Sequence, residues 1–339
     1  MVHQPKGSPL NAVQMQLLGG LLVLCALAGQ GRCADASIDW CYQDASCGPA
    51  TWPVSLAVEF CNGSRQSPIN INSSKAVEDS ELVDFSFTDY DNKLGLTKIK
   101  NTGKTVKVTL ANGTVSGGGL PNSTYQSLQF HLHWGNGSTQ PGSEHTVNGK
   151  RYPMEMHIVS VKAIYDGNTT LAVADNESIA ALGFFFEEMD GPATRASTYW
   201  DTLASYLPNI TNGGDYANFT DKISLDDLLE GVDRTKYYRY LGSLTTPSCN
   251  EVVIWTVFKE SIKVSKEAID LFSSTVRVAN GTSALLLNTY RPIQPDQAIR
   301  TNARPTTTTT AAATTSSSSS VTLASALMAI AALWAFKGV

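Results

Sequence analysis

Short runs of alternating polar and apolar residues, spread without a break over about 270 residues, constrain the fold of this chain more than any other feature. Between about residue 35 and residue 304 there is no Pro/Gly/Ser-rich linker, no block of like charge and no internal repeat, which indicates one domain. The alternating runs are typical of half-buried strands and cover 104–110, 127–134, 154–163, 180–187 and 251–259. Helical patterns are fewer and cover 197–207, 224–230, with Ser224 and Asp227 as a capping box, and 265–276. The sequence therefore predicts a mainly β (α+β) fold with a central sheet and short peripheral helices.

Composition excludes two broad classes of protein. Of the 339 residues, 42% are hydrophobic and 16% are charged, which is too apolar for a disordered chain. The net charge is −5 and no run of Lys or Arg occurs, so the chain lacks the basic surface that binds polyanions. Nucleic acid is therefore not an expected partner.

The N-terminus has the pattern of a secretory signal. Lys6 precedes an apolar run from Leu17 to Ala28, which predicts a signal peptide over residues 1–34. The mature domain would then cover residues 35–304, in the secretory pathway.

The C-terminus has the pattern of a lipid-anchor signal. Residues 305–320 are almost wholly Thr, Ser and Ala and predict a glycosylated stalk, the alternative being a disordered linker. Val321 to Phe336 is apolar but would span only about 24 Å as a helix, which is short of a bilayer. We predict that 321–339 is a GPI-attachment signal, removed to leave the protein anchored by lipid at the extracellular face of the plasma membrane. A short single-pass helix is the alternative.

Sequons and cysteines also indicate an extracellular protein. Four cysteines remain after the presumed signal peptide, which implies two disulfides in one of three connectivities, with Cys41–Cys47 favoured because the two are close in sequence. The candidate glycosylation sites are Asn62, Asn72, Asn112, Asn122, Asn136, Asn168, Asn176, Asn209, Asn218 and Asn280.

Histidine is scarce, and the histidines of the mature chain fall in three short clusters. In a strand, side chains alternate between faces, so His131 and His133 point to the same side. The same rule places Glu155 and His157 together, and a neighbouring strand could supply this third imidazole. Three imidazoles with an open fourth position are typical of catalytic Zn²⁺, because structural zinc is normally closed by a fourth Cys or His.

Two polar residues are candidates to orient these ligands. Gln129 could accept from the free ring N–H of His131, and Glu155 from that of His157, fixing each tautomer. The alternative is that His131, His133 and His157 are ordinary surface or core histidines with ordinary hydrogen bonds. His145 is predicted to be a buried, hydrogen-bonded structural residue.

The motifs together resemble the α-class carbonic anhydrases, in order from Trp40 to about Ile299. They are Ser67-Pro68-Ile69-Asn70-Ile71, Gly117-Gly118-Gly119-Leu120-Pro121, Gln129-Phe130-His131-Leu132-His133-Trp134-Gly135, Gly142-Ser143-Glu144-His145, Glu155-Met156-His157-Ile158-Val159, Gly242-Ser243-Leu244-Thr245-Thr246-Pro247 and Tyr290-Arg291-Pro292. The resemblance implies a large, mostly antiparallel twisted sheet. It also implies reversible hydration of carbon dioxide to bicarbonate and a proton through zinc-bound hydroxide.

The same resemblance implies roles for individual residues. Zinc would be bound by His131, His133 and His157. Thr245 would accept from the hydroxide and donate to Glu144, which as a carboxylate can only accept. The substrate side would be lined by Thr246, with Tyr42 at its edge, and the apolar carbon dioxide pocket by Val159, Ala181, Leu244 and Trp255. Cys61 and Cys249 fall where extracellular, membrane-anchored members form a long-range disulfide.

The sequence departs from the family at two positions that matter. Lys104 stands where fast members have a proton-shuttle histidine, and lysine is a poor relay near neutral pH, so slow intramolecular proton transfer is expected. Thr289 stands where the family has Asn. Carbon dioxide and bicarbonate are the expected small-molecule partners, with bicarbonate or proton transporters as neighbours in the membrane. Two competing hypotheses are an acatalytic carbonic-anhydrase-like binding or adhesion ectodomain, and a zinc hydrolase of esters.

Overall fold

The alternating runs of the sequence form strands in the computed structural model, which describes residues 40–55, 59–121, 123–279 and 284–302. The predicted signal peptide, stalk and anchor signal, at 1–34, 305–320 and 321–339, lie outside the described residues. Within the described part of the chain, no helix is both long enough and apolar enough to cross a membrane.

Strands dominate the architecture. In chain order they are β1 (Asn70–Ile71), β2 (Val77–Asp79), β3 (Phe85–Thr88), β4 (Leu96–Asn101), β5 (Val106–Leu110), β6 (Thr114–Gly117), β7 (Tyr125–Trp134), β8 (Thr146–Val147), β9 (Lys150–Arg151), β10 (Met154–Lys162), β11 (Ile179–Glu188), β12 (Tyr216–Asn218), β13 (Tyr237–Gly242), β14 (Val253–Phe258), β15 (Ile262–Val264) and β16 (Arg300–Asn302). The five predicted strand segments correspond to β5, β7, β10, β11 and β14. Strand β5 begins two residues later than predicted, because Thr102 and Thr105 form a turn in which Thr105 N donates to Thr102 Oγ1.

Helices are short and peripheral. They are α1 (Trp52–Ser55), α2 (Thr169–Ala172), α3 (Arg195–Ala204), α4 (Leu225–Leu228) and α5 (Lys266–Thr275), with 3-10 helices at Glu59–Asn62, Ser73–Lys75, Ala163–Tyr165 and Leu207–Ile210. The predicted capping box is present, since Ser224 Oγ accepts from Asp227 N and Asp227 accepts from Ser224 N. Helix α3 starts earlier than predicted because Thr194 caps it.

Most of the strands join one sheet, whose central order is β12-β4-β5-β7-β10-β11-β14-β13-β16-β2. Strand β6 lies beside β7, β3 beside β6 and β15 beside β11, while β1, β8 and β9 form a separate small sheet. In the large sheet β11 pairs in parallel with β14 and β15, and β16 with β2; its other ladders are antiparallel. The predicted fold, a large and mostly antiparallel sheet with short helices around it, is confirmed.

The two faces of the sheet bury different clusters. Phe130 and Leu132 of β7 lie in the larger cluster, which also contains Trp200 and Phe272 from α3 and α5. Because strand side chains alternate, the histidines of β7 and β10 point to the other face. The fold therefore places them near the centre of the sheet, on two of its longest strands.

Two disulfides secure the N-terminal segment and the loop after β13. Cys41 pairs with Cys47, six residues away, and Cys61 pairs with Cys249 across 188 residues. Both predicted pairings are confirmed.

Candidate metal centre

Three histidines meet on adjacent strands. His131 of β7 stands directly opposite His157 of β10, and His133 stands opposite Glu155. One ligand nitrogen from each of His131, His133 and His157 lies within 4.8 Å of the others. The side-chain alternation of β7 and the register between the two strands together build this cluster, and only the alternation is readable from sequence.

Hydrogen bonds on the outer side of each ring decide which nitrogen is free. Gln129 Oε1 lies 3.1 Å from His131 Nδ1, the Thr289 carbonyl oxygen 2.6 Å from His133 Nδ1, and Glu155 Oε1 2.7 Å from His157 Nε2. Each of these oxygens is an acceptor, so the ring nitrogen donates to it. The nitrogens left with a lone pair are therefore Nε2 of His131, Nε2 of His133 and Nδ1 of His157.

The donor set fits zinc. His133 Nε2 is buried and has no hydrogen-bond partner among the described residues, an arrangement that a metal ion would satisfy. Burial lowers the pKa of His131 well below its ordinary value, with the adjacent His133 adding to the effect, and burial also lowers the pKa of His133. Neutral imidazoles are the protonation state that binds a metal.

Glu144 lies beside this cluster, fully buried. Its Oε1 accepts from the Arg291 backbone N–H at 2.8 Å, while Oε2 is buried without a hydrogen-bond partner. Glu144 Oε2 lies 3.5 Å from His133 Nε2 and 3.9 Å from His157 Nδ1. The expected donation from Thr245 to Oε2 is thus not formed in the structure, although Thr245 is itself buried in the loop that follows β13.

An apolar row borders the histidines on the same face. Val159, Ala181 and Trp255 stand in register across β10, β11 and β14, and Leu244 packs against the cluster that contains Ala181 and Trp255. The Trp255 ring centroid is 4.6 Å from that of His157. The structure therefore brings together all four residues predicted for the substrate pocket.

The remaining predicted lining residues lie on loops. The Thr246 carbonyl accepts from Cys249 N at 2.8 Å, which links the loop to the long-range disulfide. Tyr42 packs edge-on against Trp40, at 5.2 Å between centroids, and also contacts Trp52. Burial and the nearby Glu144 carboxylate raise the pKa of Tyr42 well above its usual value, so it is a neutral phenol.

A buried network behind His157 was only partly predicted. Glu155 Oε1 lies 2.7 Å from His145 Nδ1, and the Tyr240 hydroxyl lies 2.6 Å from His145 Nε2 and 2.8 Å from Ser67 Oγ. Burial acts to raise the pKa of the Glu155 carboxyl, but the adjacent His145 and His157 hold it well below its usual range. His145 is thus a buried, hydrogen-bonded residue. No local pattern links Tyr240 or Ser67 to Glu155, because all three are far apart in the chain.

Gly183 makes room for this network. It stands opposite His157 on β11, and a Cβ at this position would lie 3.1 Å from Glu155 Oε1. The close approach of the carboxylate explains why the strand has a glycine here.

Two lysines lie at the start of β5. Lys104 Nζ is 5.3 Å from the Trp40 ring centroid, just before β5. Lys107 of β5 stands opposite His131 and is half-buried. Sequence reasoning missed Lys107, since the pairing of β5 with β7 cannot be read from the sequence.

The candidate glycosylation sites divide by their exposure. Asn72 is half-buried, and Asn122 and Asn280 lie outside the described residues. The exposed ones are Asn62, Asn112, Asn136, Asn168, Asn176, Asn209 and Asn218.

Comparison with known proteins agrees with this geometry. Residues 47–303 match the family model described as eukaryotic-type carbonic anhydrase. The chain is 38% identical to carbonic anhydrase 4 of Oryctolagus cuniculus (83% of this chain, 88% of the relative) and 35% identical to carbonic anhydrase 15 of Mus musculus (84% and 87%). It is 34% identical to carbonic anhydrase 6 of Homo sapiens (83% and 87%). The chain therefore belongs to the eukaryotic-type carbonic anhydrases, zinc-dependent carbonate dehydratases, as its motifs predicted.

Proposed function

We propose that this protein hydrates carbon dioxide at the outer cell surface, with zinc held by His131 Nε2, His133 Nε2 and His157 Nδ1. The observation that carries the proposal is the orientation of the three rings, each hydrogen-bonded on its far nitrogen. When bound, zinc supplies Lewis-acid chemistry that brings the pKa of water to about 7.

The chain's own residues prepare this site for the ion. Gln129, the Thr289 carbonyl and Glu155 each hold one imidazole in the tautomer that presents a lone pair inward. Because the three ligands are neutral, they leave the positive charge of the ion uncompensated, which favours a strongly acidified water.

Glu144 and Thr245 orient the attacking oxygen. Arg291 N already donates to Glu144 Oε1, so Oε2 is the remaining acceptor. If Thr245 donates its one hydroxyl proton to Oε2, its Oγ1 can only accept on the substrate side. Thr245 then fixes the direction of the lone pair that attacks the carbon.

The apolar row receives the substrate. Carbon dioxide is small and uncharged, so it needs no charged clamp, and Val159, Ala181, Leu244 and Trp255 offer it a hydrophobic surface beside the histidines. Thr246 and Tyr42 lie at the edge of this pocket. Bicarbonate, as an anion, is poorly held by such a surface and leaves.

Measuring zinc and hydration together tests the proposal. The mature protein is expected to contain one zinc per chain and to hydrate carbon dioxide, and Thr245→Val to retain zinc while losing roughly 100-fold in kcat/KM, the usual effect of one oriented hydrogen bond. Thr202→Val is a matched control, because the Thr202 hydroxyl donates to the Thr198 carbonyl at 2.9 Å within helix α3 and takes no part in the metal centre. Zinc-loaded wild type without hydration activity would favour the acatalytic ectodomain instead.

The lipid anchor is tested separately. The terminal sequence patterns, the exposed sequons and the two disulfides support a cell-surface location. A phosphatidylinositol-specific phospholipase is expected to release the protein from intact cells. Retention in the membrane with Val339 still present would support a single-pass helix.

A further inference from the structure

A cavity of about 1050 Å³ lies on the face of the sheet opposite the histidines. Leu82, Leu120, Arg239 and Ile254 contribute to its wall. Ile254 belongs to the large cluster on that face, whereas its neighbour Trp255 faces the metal centre. The volume is in the range of small-molecule sites, and the hydration of carbon dioxide does not use it.

Arg239 is the unusual residue of this wall, because it is a buried cation that forms no direct ion pair among the described residues. Its side chain is about 5% exposed, and its hydrogen bonds go to neutral acceptors, from Nη2 to the Gly118 carbonyl at 2.6 Å and to Thr256 Oγ1 at 2.9 Å. Nε also donates to Thr256 Oγ1, while Nη1 has no hydrogen-bond partner among the residues described. Burial lowers the pKa of Arg239 to about 10, which leaves it charged at pH 7.

The charged groups on the wall act on Arg239 only from beyond ion-pair distance: the Asp79 carboxylate acts to raise the pKa of Arg239, and Arg300 acts to lower it. Arg300 Nη1 pairs with Asp79 at 2.9 Å, and Arg65 is paired with Glu251, a residue outside the wall. Glu81 is exposed at the rim, Glu177 is half-buried, and neither forms an ion pair with Arg239 in the described part of the chain. A buried guanidinium in this state is costly unless an anion completes it.

We propose that this cavity binds an organic carboxylate with an apolar body, its carboxylate on Arg239. Nη1 of Arg239, which has no hydrogen-bond partner among the described residues, can donate to a carboxylate in the plane of the guanidinium, and such charge-assisted bonds are about twice as strong as neutral ones. Leu82, Leu120 and Ile254 then cover the apolar part of the ligand. The cationic Arg239 and these apolar side chains lie on one wall of the cavity. Together they favour a ligand that joins a carboxylate to an apolar body.

Calorimetric titration of the purified mature protein with decanoate and with decanol tests the proposal, because the two ligands share a chain length and differ in charge. Decanoate is expected to bind once per chain, at least about tenfold more tightly than decanol, since hydrogen bonds to charged groups exceed neutral ones. Arg239→Gln is expected to abolish that preference. Arg234→Gln is the matched control, because Arg234 pairs with Asp226 outside this cavity, and it is expected to keep the preference.

Two further variants keep the outcome decisive. His131→Ala is expected to leave decanoate binding intact; if it abolishes binding while Arg239→Gln does not, the carboxylate lies at the metal centre and the proposal is wrong. If Arg239→Gln does not fold, Leu241→Glu places a negative charge on an exposed wall residue and is expected to weaken decanoate but not decanol. Equal affinities for the two ligands in wild type overturn the proposal.

Discussion

Glu155 Oε1 lies 2.7 Å from His157 Nε2, and this contact decides that Nδ1 is the nitrogen of His157 that faces the cluster. The same oxygen lies 2.7 Å from His145 Nδ1, so one buried carboxylate holds two rings. Since the carboxylate accepts from both, a residue outside the three-histidine cluster sets the orientation of His157.

Replacing Glu155 is therefore expected to loosen zinc without removing it. Glu155→Gln keeps one acceptor oxygen, but the carboxylate uses two, Oε1 for both rings and Oε2 for the His145 backbone N–H at 2.8 Å. A change of this kind typically weakens metal affinity by about 10–100-fold. Zinc dissociation into a chelator measures the effect. Glu78→Gln, an exposed carboxylate on β2, is the control and is expected to match wild type; equal rates for the two variants would contradict the orienting role.

Removing a ligand is expected to have a larger effect. His131→Ala leaves two imidazoles at the cluster, and both bound zinc and hydration activity should be lost. Metal analysis and stopped-flow assays of the same preparation check this, with Gln126→Ala on the same strand as the control. A variant that keeps full activity would refute the ligand assignment.

The two disulfides are expected to differ in their effect on stability. In the chain-entropy model the stabilisation grows with the length of the closed loop, and separations of 188 and 6 residues differ by about 3 kcal/mol. Replacing both Cys61 and Cys249 by Ala should therefore lower the free energy of unfolding more than replacing both Cys41 and Cys47. Denaturant titration at neutral pH measures both; a larger loss for the short loop would contradict this account.

Stability in acid depends on Glu187. Burial acts to raise the pKa of this carboxyl, but hydrogen bonds from Lys150, Lys263 and Ser261 lower it to about 2. An unfolded glutamate titrates near 4.3, so the ionised form stabilises the folded state above that pH, and the contribution is lost as the pH falls through about 2. The difference in unfolding free energy between wild type and Glu187→Gln should be constant above about pH 5 and shrink below it. Glu188→Gln, at the adjacent exposed position, is the control for removing a carboxylate from this strand.

Sequence patterns were sufficient to predict the main strands and to predict which side chains lie on the same face of one strand, because alternation is a local property. His131 with Gln129 and His157 with Glu155 are such pairs, each two residues apart. Contacts set by strand register were not readable from the chain itself. Lys107 opposite His131, the Thr289 carbonyl at His133 and the Tyr240 hydroxyl at His145 join residues that only the folded sheet brings together.

The histidines also leave no obvious carrier for the proton that each turnover releases. Of the four described, three form the metal cluster, and His145 is fully buried with both ring nitrogens hydrogen-bonded. The position before β5 is held by Lys104, close to Trp40. A lysine amine in water has a pKa of about 10.4, so roughly 1 in 2,500 is neutral at pH 7 and able to accept a proton.

Proton release is therefore expected to limit kcat, while kcat/KM, which reports the steps up to bicarbonate formation, is unaffected. Wild-type kcat should rise with imidazole concentration, because the buffer replaces the missing relay. Lys104→His should raise kcat at low buffer with little change in kcat/KM, since an imidazole with a pKa near 6.5 both accepts and releases a proton near neutral pH. Lys100→His, on the preceding strand, is the matched control for adding a histidine near the site. If wild-type kcat is independent of buffer and Lys104→His gains nothing, another group carries the proton.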